Sequence, residues 1–231
     1  MDIVKHQYRF DPAIYNTHWL LLQEVPENSR VLEIGSASGY MGEFMIKEKK
    51  CEVWGVEPEN GPFEESKKYG YTKLFNTTAE EFLKLPEIAN EKFDVIFLGD
   101  VLEHLVDPVG ILQGLRQLLK PTGRFVISLP NVGHWSARLR VLKGNFDMDS
   151  SGIFDRTHLH FYTLKTMIEM IEAGGLKVVK SRHSGGGWER FGINKLFGIG
   201  QKILRLFPKL LSYQYVLVAT LKDSKIEVPR G

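Results

Sequence analysis

Four histidines of this 231-residue chain stand in segments where proton transfer would be useful. His104 follows a long apolar run, His134 lies in a glycine-containing stretch, and His158 and His160 share the same parity, so both would face one side of an extended segment. A neutral histidine readily takes a proton from a hydroxyl group near pH 7. We take His158 as the first candidate base and His104 as the second, with His160 beside them. A structural histidine bonded to backbone is the alternative at each position.

A glycine-rich turn is the second feature that suggests chemistry. The stretch 31–42, VLEIGSASGYMG, runs from an apolar strand through a small-residue turn into a helix. Such a turn lets a ligand approach the backbone at a helix N-terminus. The dinucleotide fingerprint needs glycines at its first, third and sixth positions, but these positions hold Gly35, Ala37 and Tyr40. The turn therefore predicts a ligand site without favouring a nicotinamide dinucleotide.

The elements that must position these residues alternate between strand and helix. Short apolar runs predict strands at 30–35, 52–59, 72–78, 93–100, 124–131, 176–184 and 213–222. Apolar residues at helical spacing predict helices at 11–25, 40–50, 65–70, 79–85, 108–119 and 164–175. Asp11, Asp107 and Thr163 are expected to cap helices, and Gly174 is expected to end the last one. This order predicts an α/β fold with a mostly parallel, Rossmann-like sheet whose carboxyl edge binds ligands.

We expect one domain spanning 1–231. Its predicted parts are an N-terminal helix or lid (1–30), a core (31–130), a loop region (131–162), a closing helix and hairpin (163–221) and a tail (222–231). The polar, glycine-containing stretch 132–156 is predicted to be irregular, and an irregular segment of that length is usually functional.

Composition narrows the function classes. Hydrophobic residues make up 43% of the chain and charged residues 25%, which is typical of a soluble domain. The net charge of +2 disfavours a dedicated nucleic-acid binder. The lone Cys51 suits a reducing cytoplasm, and we find neither a signal-peptide pattern nor an apolar run long enough for a membrane span. No Cys/His cluster has metal-ligand spacing, so no metal is expected.

The stretch VLEIGSASG resembles the first motif of class I S-adenosylmethionine (SAM) dependent methyltransferases. Further segments at 55–59, 77–82, 93–108 and 118–131 follow in that family's order. The resemblance implies a seven-stranded fold with an antiparallel last strand and SAM as cofactor, which the reaction converts to S-adenosylhomocysteine. It implies that Glu57 holds the ribose hydroxyls and that 78–80 lie at adenine. The implied cofactor residues are Glu33, Gly35, Ser36, Ala37, Gly39, Glu57, Pro58, Thr78, Ala79, Glu80, Asp100 and Val101. Ala37 replaces the motif's middle glycine, and alanine fits there easily only if its φ is negative.

The stretch 129–163 resembles a branch of methyltransferases associated with glycosyltransferases and surface-polysaccharide assembly, which carries an Asp-Arg-Thr-His motif before an aromatic pair. This resemblance implies O-methylation of a small molecule or a glycan or lipid-linked precursor. The candidate acceptor-binding residues are Tyr15, Asn131, His134, Trp135, Arg138, Asp155 and Arg156. The alternative for Asp155 and Arg156 is a salt-bridged loop anchor.

The segment 191–211 is apolar with interspersed Lys and Arg residues. It could contact an anionic membrane surface, shape a site for a lipid-linked acceptor or pack in a homodimer. We favour the simpler interpretation of a helix that covers the closing hairpin.

Two other functions remain open from sequence alone. A non-catalytic protein could bind SAM without turnover. An NAD(P)-dependent oxidoreductase could use the same sheet, although the missing glycines argue against it.

Overall fold

Seven strands form a mixed sheet within residues 17–185 and 206–224, the part of the chain that this computed structural model describes. The sheet order is β3-β2-β1-β4-β5-β7-β6, and β7 runs antiparallel to both of its neighbours. The predicted α/β fold with antiparallel closing strands is therefore confirmed. The strands are β1 Arg30–Ile34, β2 Glu52–Val56, β3 Lys73–Phe75, β4 Phe93–Gly99, β5 Leu119–Pro130, β6 Leu176–Ser184 and β7 Gln214–Leu221.

Helices cover both faces of this sheet, which explains why its central strands are apolar throughout. Phe97 and Phe125, on the adjacent strands β4 and β5, are fully buried. One core cluster lies on each face of the sheet. The helices are α1 Thr17–Gln23, α2 Tyr40–Lys47, α3 Asn60–Ser66, α4 Ala79–Phe82, α5 Pro108–Leu115, α6 Trp135–Leu142, α7 Leu164–Ala173 and α8 Pro208–Leu211.

Two predicted helix caps are present. The Asp107 side chain accepts a hydrogen bond from the Gly110 backbone N–H at the start of α5. Thr163 forms a reciprocal capping box with Thr166 at the start of α7. Gly174 ends that helix in a right-handed conformation, and it is Gly175, with φ +85°, that turns the chain. The local side-chain pattern thus determines where these helices begin, and the left-handed turn falls one residue later than expected.

Two predicted boundaries are wrong. β5 begins at Leu119, so the KPTG stretch at 120–123 belongs to the strand rather than to a helix end. Leu119 pairs with Phe93 before the register shifts, which places this proline and glycine at an irregular strand start. The stretch 132–156 is not wholly irregular, because it contains α6. A His134 cap makes that helix possible despite its weakly apolar composition.

The order of the strands places a ligand crevice at one point of the sheet. Strand order reverses between β1 and β4, because β2 and β3 lie to one side and β5 to the other. Open α/β sheets bind ligands outside the carboxyl ends of the strands at such a reversal. Gly35 follows β1, Glu57 follows β2 and Asp100 follows β4, so all three stand at this edge.

Several predictions fall on other parts of the chain. Residues 1–16 lie outside the described residues, and with them Asp11 and the first part of the predicted helix 11–25, whose remainder contains α1. Most of 191–211 is also outside them. Within that segment, Leu206 and Phe207 are exposed, and its contact with a membrane or a second copy stays a prediction. No helix in the described ranges is long and apolar enough to cross a membrane.

Candidate active site

The turn after β1 has the left-handed backbone that a glycine motif requires. Gly35, Ala37 and Gly39 have φ of +73°, +46° and +85°. The negative φ that would suit alanine is therefore absent at Ala37, and alanine accepts an unfavourable conformation there. At Gly35 any side chain would clash, because a Cβ would lie 2.7 Å from Val101 Cγ2. The turn brings its backbone directly against the end of β4.

Glu57 closes the other side of this turn. Its side chain accepts hydrogen bonds from the Ala37 backbone N–H at 2.7 Å and the Glu59 N–H at 2.9 Å. Burial raises the pKa of Glu57, although these two hydrogen bonds oppose the shift. The carboxylate is thus held at the end of β2, beside exposed Pro58, where it could accept hydrogen bonds from a diol.

Glu33 and Ser36 lie beneath the turn. Glu33 is fully buried, and the Tyr71 hydroxyl donates to its Oε2 at 2.6 Å. Its Oε1 has no hydrogen-bond partner among the described residues. Burial raises the pKa of Glu33 to about 8. Ser36 is 2% exposed. Together they form a polar floor under the backbone of the turn.

The residues after β3 start a short helix. The Thr78 side chain accepts a hydrogen bond from the Glu81 backbone N–H and caps α4. Ala79 is buried and Glu80 half-buried. Thr78, Ala79 and Glu80 lie at the same edge of the sheet as Gly35 and Glu57, which is compatible with the predicted adenine contact. The interaction that the structure shows for the Thr78 side chain is the cap of α4.

Asp100 is the centre of a network that the sequence pattern does not predict. It has φ +55°, and Ser128 Oγ and Gln214 Nε2 donate to its Oδ1 at 2.8 and 2.9 Å. His18 Nε2 lies 3.9 Å from Oδ2, and the His18 ring also bonds the Tyr40 hydroxyl. Burial acts to raise the pKa of Asp100, but the interactions with His18, Ser128 and Gln214 outweigh it and lower the pKa. A fixed carboxylate therefore stands at the end of β4.

A second polar cluster lies just beyond Asp100, in the 3₁₀ turn Leu102–His104. Glu103 is 1% exposed, and neither of its carboxylate oxygens has a hydrogen-bond partner among the described residues. His158 Nε2 lies 4.0 Å from Glu103 Oε1, and the His104 and His158 rings are 4.8 Å apart. Burial lowers the pKa of His158 and raises that of Glu103. The fold thus brings two of the predicted histidines to a buried acid.

The loop after α6 is anchored to this turn through its backbone. The N–H groups of Leu159 and His160 both donate to the Glu103 carbonyl, at 2.8 and 3.2 Å. His160 Nε2 bonds the Leu105 carbonyl at 3.0 Å. His158 is largely enclosed, with 7% of its side chain exposed, whereas His104 is exposed. Of the two closest histidines, His104 is therefore the more accessible, which reverses our first ranking of the bases.

Several predicted acceptor residues make hydrogen bonds within the loop region. The buried Asn131 side chain donates to the Ser212 carbonyl and accepts from the Gly133 N–H. His134 is 4% exposed and caps α6, and burial lowers its pKa to about 4. Arg138 Nε donates to the Gly133 carbonyl at 2.7 Å. Trp135, at 37% exposure, and Arg138 are the exposed members of these four.

The Asp-Arg pair also has a local role. Asp155 Oδ1 accepts hydrogen bonds from the backbone N–H and hydroxyl of Thr157. Burial acts to raise the pKa of Asp155, but these bonds outweigh it and lower the pKa. Arg156 Nε donates to the Asp149 carbonyl at 3.3 Å. Both residues anchor the loop, although through backbone contacts rather than through the salt bridge considered above. Tyr15 lies outside the described residues.

Sequence reasoning missed four residues of this edge. His18, Glu103, Ser128 and Gln214 become visible only through their contacts with one another or with the predicted residues. Ser128 did carry a signal, since it is a lone polar residue among the apolar residues of β5. A buried polar residue in such a place requires a partner.

The fold and this edge together define a class of protein. A seven-stranded sheet with a reversed last strand, a left-handed small-residue turn after β1 and an acid after β2 form a Rossmann-like SAM-dependent methyltransferase. The residues fit the cofactor, because its polar groups would find the buried Glu57 carboxylate and the turn backbone. The chain belongs to the methyltransferase-domain family, whose profile matches residues 7–181.

Relatives and solved structures agree with that class. A stretch of 108 residues is 37% identical to a ubiquinone biosynthesis O-methyltransferase of Histophilus somni, covering 44% of this chain and 45% of that protein. A stretch of 159 residues is 30% identical to the protein of the same name from Cereibacter sphaeroides, covering 66% and 62%. The chain thus spans about half the length of these relatives. A Burkholderia thailandensis N1-methyltransferase with bound S-adenosylhomocysteine shares the fold, with TM-score 0.57, 18% identity and coverage of 90% and 77%.

Proposed function

We propose that this SAM-dependent methyltransferase methylates a hydroxyl oxygen of a small molecule. The observation that carries the proposal is the cluster of Glu103, His104 and His158 directly beyond Asp100. A hydroxyl acceptor must lose its proton when its oxygen is methylated. Binding of the cofactor requires no proton transfer, so cofactor binding alone does not explain these groups. A cluster of proton-binding groups next to the cofactor edge meets that need.

In this proposal the cofactor-side residues bind and orient. SAM, when bound, supplies a methyl group on a positively charged sulfur. Glu57 would hold the ribose hydroxyls, and Asp100 would face the positively charged end of the cofactor. The turn from Gly35 to Gly39 would let the amino-acid part approach the backbone, and Thr78, Ala79 and Glu80 would flank the adenine.

The acceptor-side residues position the nucleophile and take its proton. The Leu159 and His160 N–H groups tie the loop to the Glu103 carbonyl, so the histidines and the cofactor edge keep a fixed relation. The exposed His104 ring would face the acceptor, and the exposed Trp135 ring offers a surface for a planar acceptor. Such positioning is a main source of rate enhancement in group transfer.

Two observations of unequal strength support a particular class of acceptor. The O-methyltransferase names of the relatives support a hydroxyl on a small aromatic molecule. The resemblance of 155–162 to the polysaccharide-associated branch supports a glycan or lipid-linked hydroxyl. We favour the aromatic hydroxyl, because those relatives share 30–37% identity over the matched stretches.

Formation of S-adenosylhomocysteine by the purified full chain tests the proposal. A vicinal diphenol, a sugar nucleotide and a simple primary amine serve as probe acceptors. We expect product methylated on oxygen, with the diphenol the best acceptor. Binding of SAM without turnover of any probe would overturn the proposal in favour of a non-catalytic binder, and faster methylation of the amine would overturn the oxygen assignment.

A matched pair of variants tests the cofactor side. Glu57→Gln removes the carboxylate charge and is expected to weaken SAM binding by about 10- to 100-fold, the usual value of a charged hydrogen bond. Glu59→Gln is the control, since Glu59 is exposed and contributes its backbone N–H to the Glu57 carboxylate. Titration calorimetry measures both, and equal affinities would contradict the role of Glu57.

A further inference from the structure

Glu103 poses a physical problem that the methyl transfer itself does not solve. Its carboxyl group is almost completely buried, yet neither oxygen has a hydrogen-bond partner among the described residues. An unpaired buried carboxylate is expensive, and native proteins almost always provide it with a partner. The partner must come from outside the described residues, and a bound ion is a source that the neighbouring side chains suit.

Two imidazoles surround this carboxyl group in a specific orientation. His104 Nδ1 lies 3.2 Å from the Thr157 carbonyl, and His158 Nδ1 lies 3.1 Å from the Ile153 carbonyl. A carbonyl can only accept, so each Nδ1 carries the hydrogen and each Nε2 carries the lone pair. Metal-binding histidines typically have this arrangement, in which one ring nitrogen donates to a backbone carbonyl and the other binds the metal.

The three side chains lie close enough for a small movement to place their ligand atoms around one ion. One ligand atom each from Glu103, His104 and His158 lie within 4.8 Å of one another. Glu103 Oε1 and His158 Nε2 are 4.0 Å apart, which is too long for a hydrogen bond but suits two ligands of one cation. Ligands at about 2.0–2.2 Å from a zinc ion are separated from each other by about 3–4 Å.

We propose that Glu103, His104 and His158 bind a divalent transition-metal ion, with Zn²⁺ as the best fit. Two imidazole nitrogens and one carboxylate are donors that suit Zn²⁺, whereas Mg²⁺ prefers oxygen ligands throughout. Sequence spacing does not predict this site, because Glu103 and His104 are adjacent while the folded loop supplies His158. It replaces our expectation that the chain holds no metal.

The site also gives the cluster a chemical role, which rests on the proposed function. Three protein ligands leave a coordination position open to water or to an acceptor oxygen. A metal-bound hydroxyl has a lower pKa than a free one, so it loses its proton to solvent more readily near pH 7. The histidines would then act as metal ligands rather than as free bases, and the acceptor would be a hydroxyl that binds a metal.

Zinc binding to the full chain tests the proposal directly. After treatment with a chelator and buffer exchange, the protein is titrated with ZnCl₂ and, separately, with MgCl₂ by calorimetry. We expect one tight Zn²⁺ per chain and at least 100-fold weaker Mg²⁺ binding. Glu103→Gln and His104→Ala are each expected to weaken Zn²⁺ binding at least 100-fold. His160→Gln is the control that keeps wild-type affinity, because the His160 ring bonds the Leu105 carbonyl instead.

Folding and methylation are measured on the same protein preparations, so that a loss of either can be distinguished from a loss of metal binding. His104 is exposed, so His104→Ala should fold, and a SAM-induced rise in melting temperature reports that it has. Co²⁺ substitution adds a direct readout, since its visible absorption reports imidazole and carboxylate coordination. Wild-type affinity in folded His104→Ala or Glu103→Gln, or no stoichiometric Zn²⁺ in the wild type, overturns the site. Zn²⁺ binding without methylation overturns only the proposed function, and methylation by protein that binds no Zn²⁺ overturns only the metal.

Discussion

The cofactor edge and the acceptor cluster each contain a buried carboxyl group, but the two are stabilised differently. Glu33, under the turn after β1, accepts a hydrogen bond from the Tyr71 hydroxyl on one of its two carboxylate oxygens. Glu103, beyond β4, has no such partner among the described residues, and it lies close to the adjacent His104 and to His158 from a distant loop. The cofactor edge is thus largely built by strand register and backbone. The acceptor cluster is built by contacts across a loop, and both carboxylate oxygens of Glu103 are without a partner among the described residues.

The variant with the largest expected effect tests whether the two regions have separate functions. His104→Ala removes an exposed ring from the acceptor cluster and keeps the backbone hydrogen bond from the His104 N–H to the Val101 carbonyl at the cofactor edge. We expect turnover to fall about 100- to 10,000-fold, the usual contribution of a proton-handling group. SAM affinity should stay within about twofold. Turnover is followed as S-adenosylhomocysteine formation, and affinity by calorimetry.

Leu159→Ala is the control for that experiment, because Leu159 is 55% exposed and contributes its backbone N–H to the loop contact. It should keep both turnover and affinity. Loss of SAM binding in His104→Ala would mean that the two regions are not separable.

The same contrast explains how far sequence alone could lead. Strand ends, a small-residue turn and the acid Glu57 are local features, so the fold and the cofactor edge were predictable from patterns along the chain. Asp100 was predictable by its position, but its partners Ser128 and Gln214 come from β5 and β7 and depend on strand register. No periodicity encodes which side chain of a distant strand will meet a given carboxylate.

The acceptor region was less predictable for a related reason. His158 was identified by residue type, but its neighbour Glu103 depends on how the loop folds back on the 3₁₀ turn after β4. Asn131 and His134 look equally suitable for a ligand in the sequence, yet they satisfy backbone groups. Short polar residues in loops serve both purposes, and only the folded contacts distinguish them.

A pH series sharpens the comparison on the cofactor side. Burial raises the pKa of Glu33 from the usual 4.5 to about 8 in the folded protein, so the folded state holds a proton that the unfolded state releases. This contribution to stability is complete below pH 4.5 and is lost as pH rises towards 8. We expect the free energy of unfolding to fall by about 1.4 kcal/mol between pH 6 and pH 7 from this group.

Denaturant unfolding of wild type and Glu33→Gln across pH 5–8 measures that slope. Glutamine stays neutral and can still accept from Tyr71, so the variant should lose this part of the slope. Glu48→Gln, at an exposed position on the same side of the sheet, should keep it. Parallel curves for wild type and Glu33→Gln would show that Glu33 is already ionised in the folded state.

The smallest expected effect concerns Ala37, where the cofactor turn departs from glycine. Its φ of +46° costs alanine about 1–2 kcal/mol, whereas glycine adopts it freely. Glycine also has more conformational entropy in the unfolded chain, which offsets part of this gain, so Ala37→Gly should stabilise the protein by a net of about 0.5–1 kcal/mol. Ala137→Gly is the opposite control, because Ala137 is buried inside α6, where glycine destabilises by about 1 kcal/mol. Thermal unfolding of both variants gives the sign of each change. If Ala37→Gly destabilised the protein as Ala137→Gly does, the turn would not hold Ala37 in the left-handed conformation. The hydrogen bond from the Ala37 N–H to the Glu57 carboxylate would then not form as described.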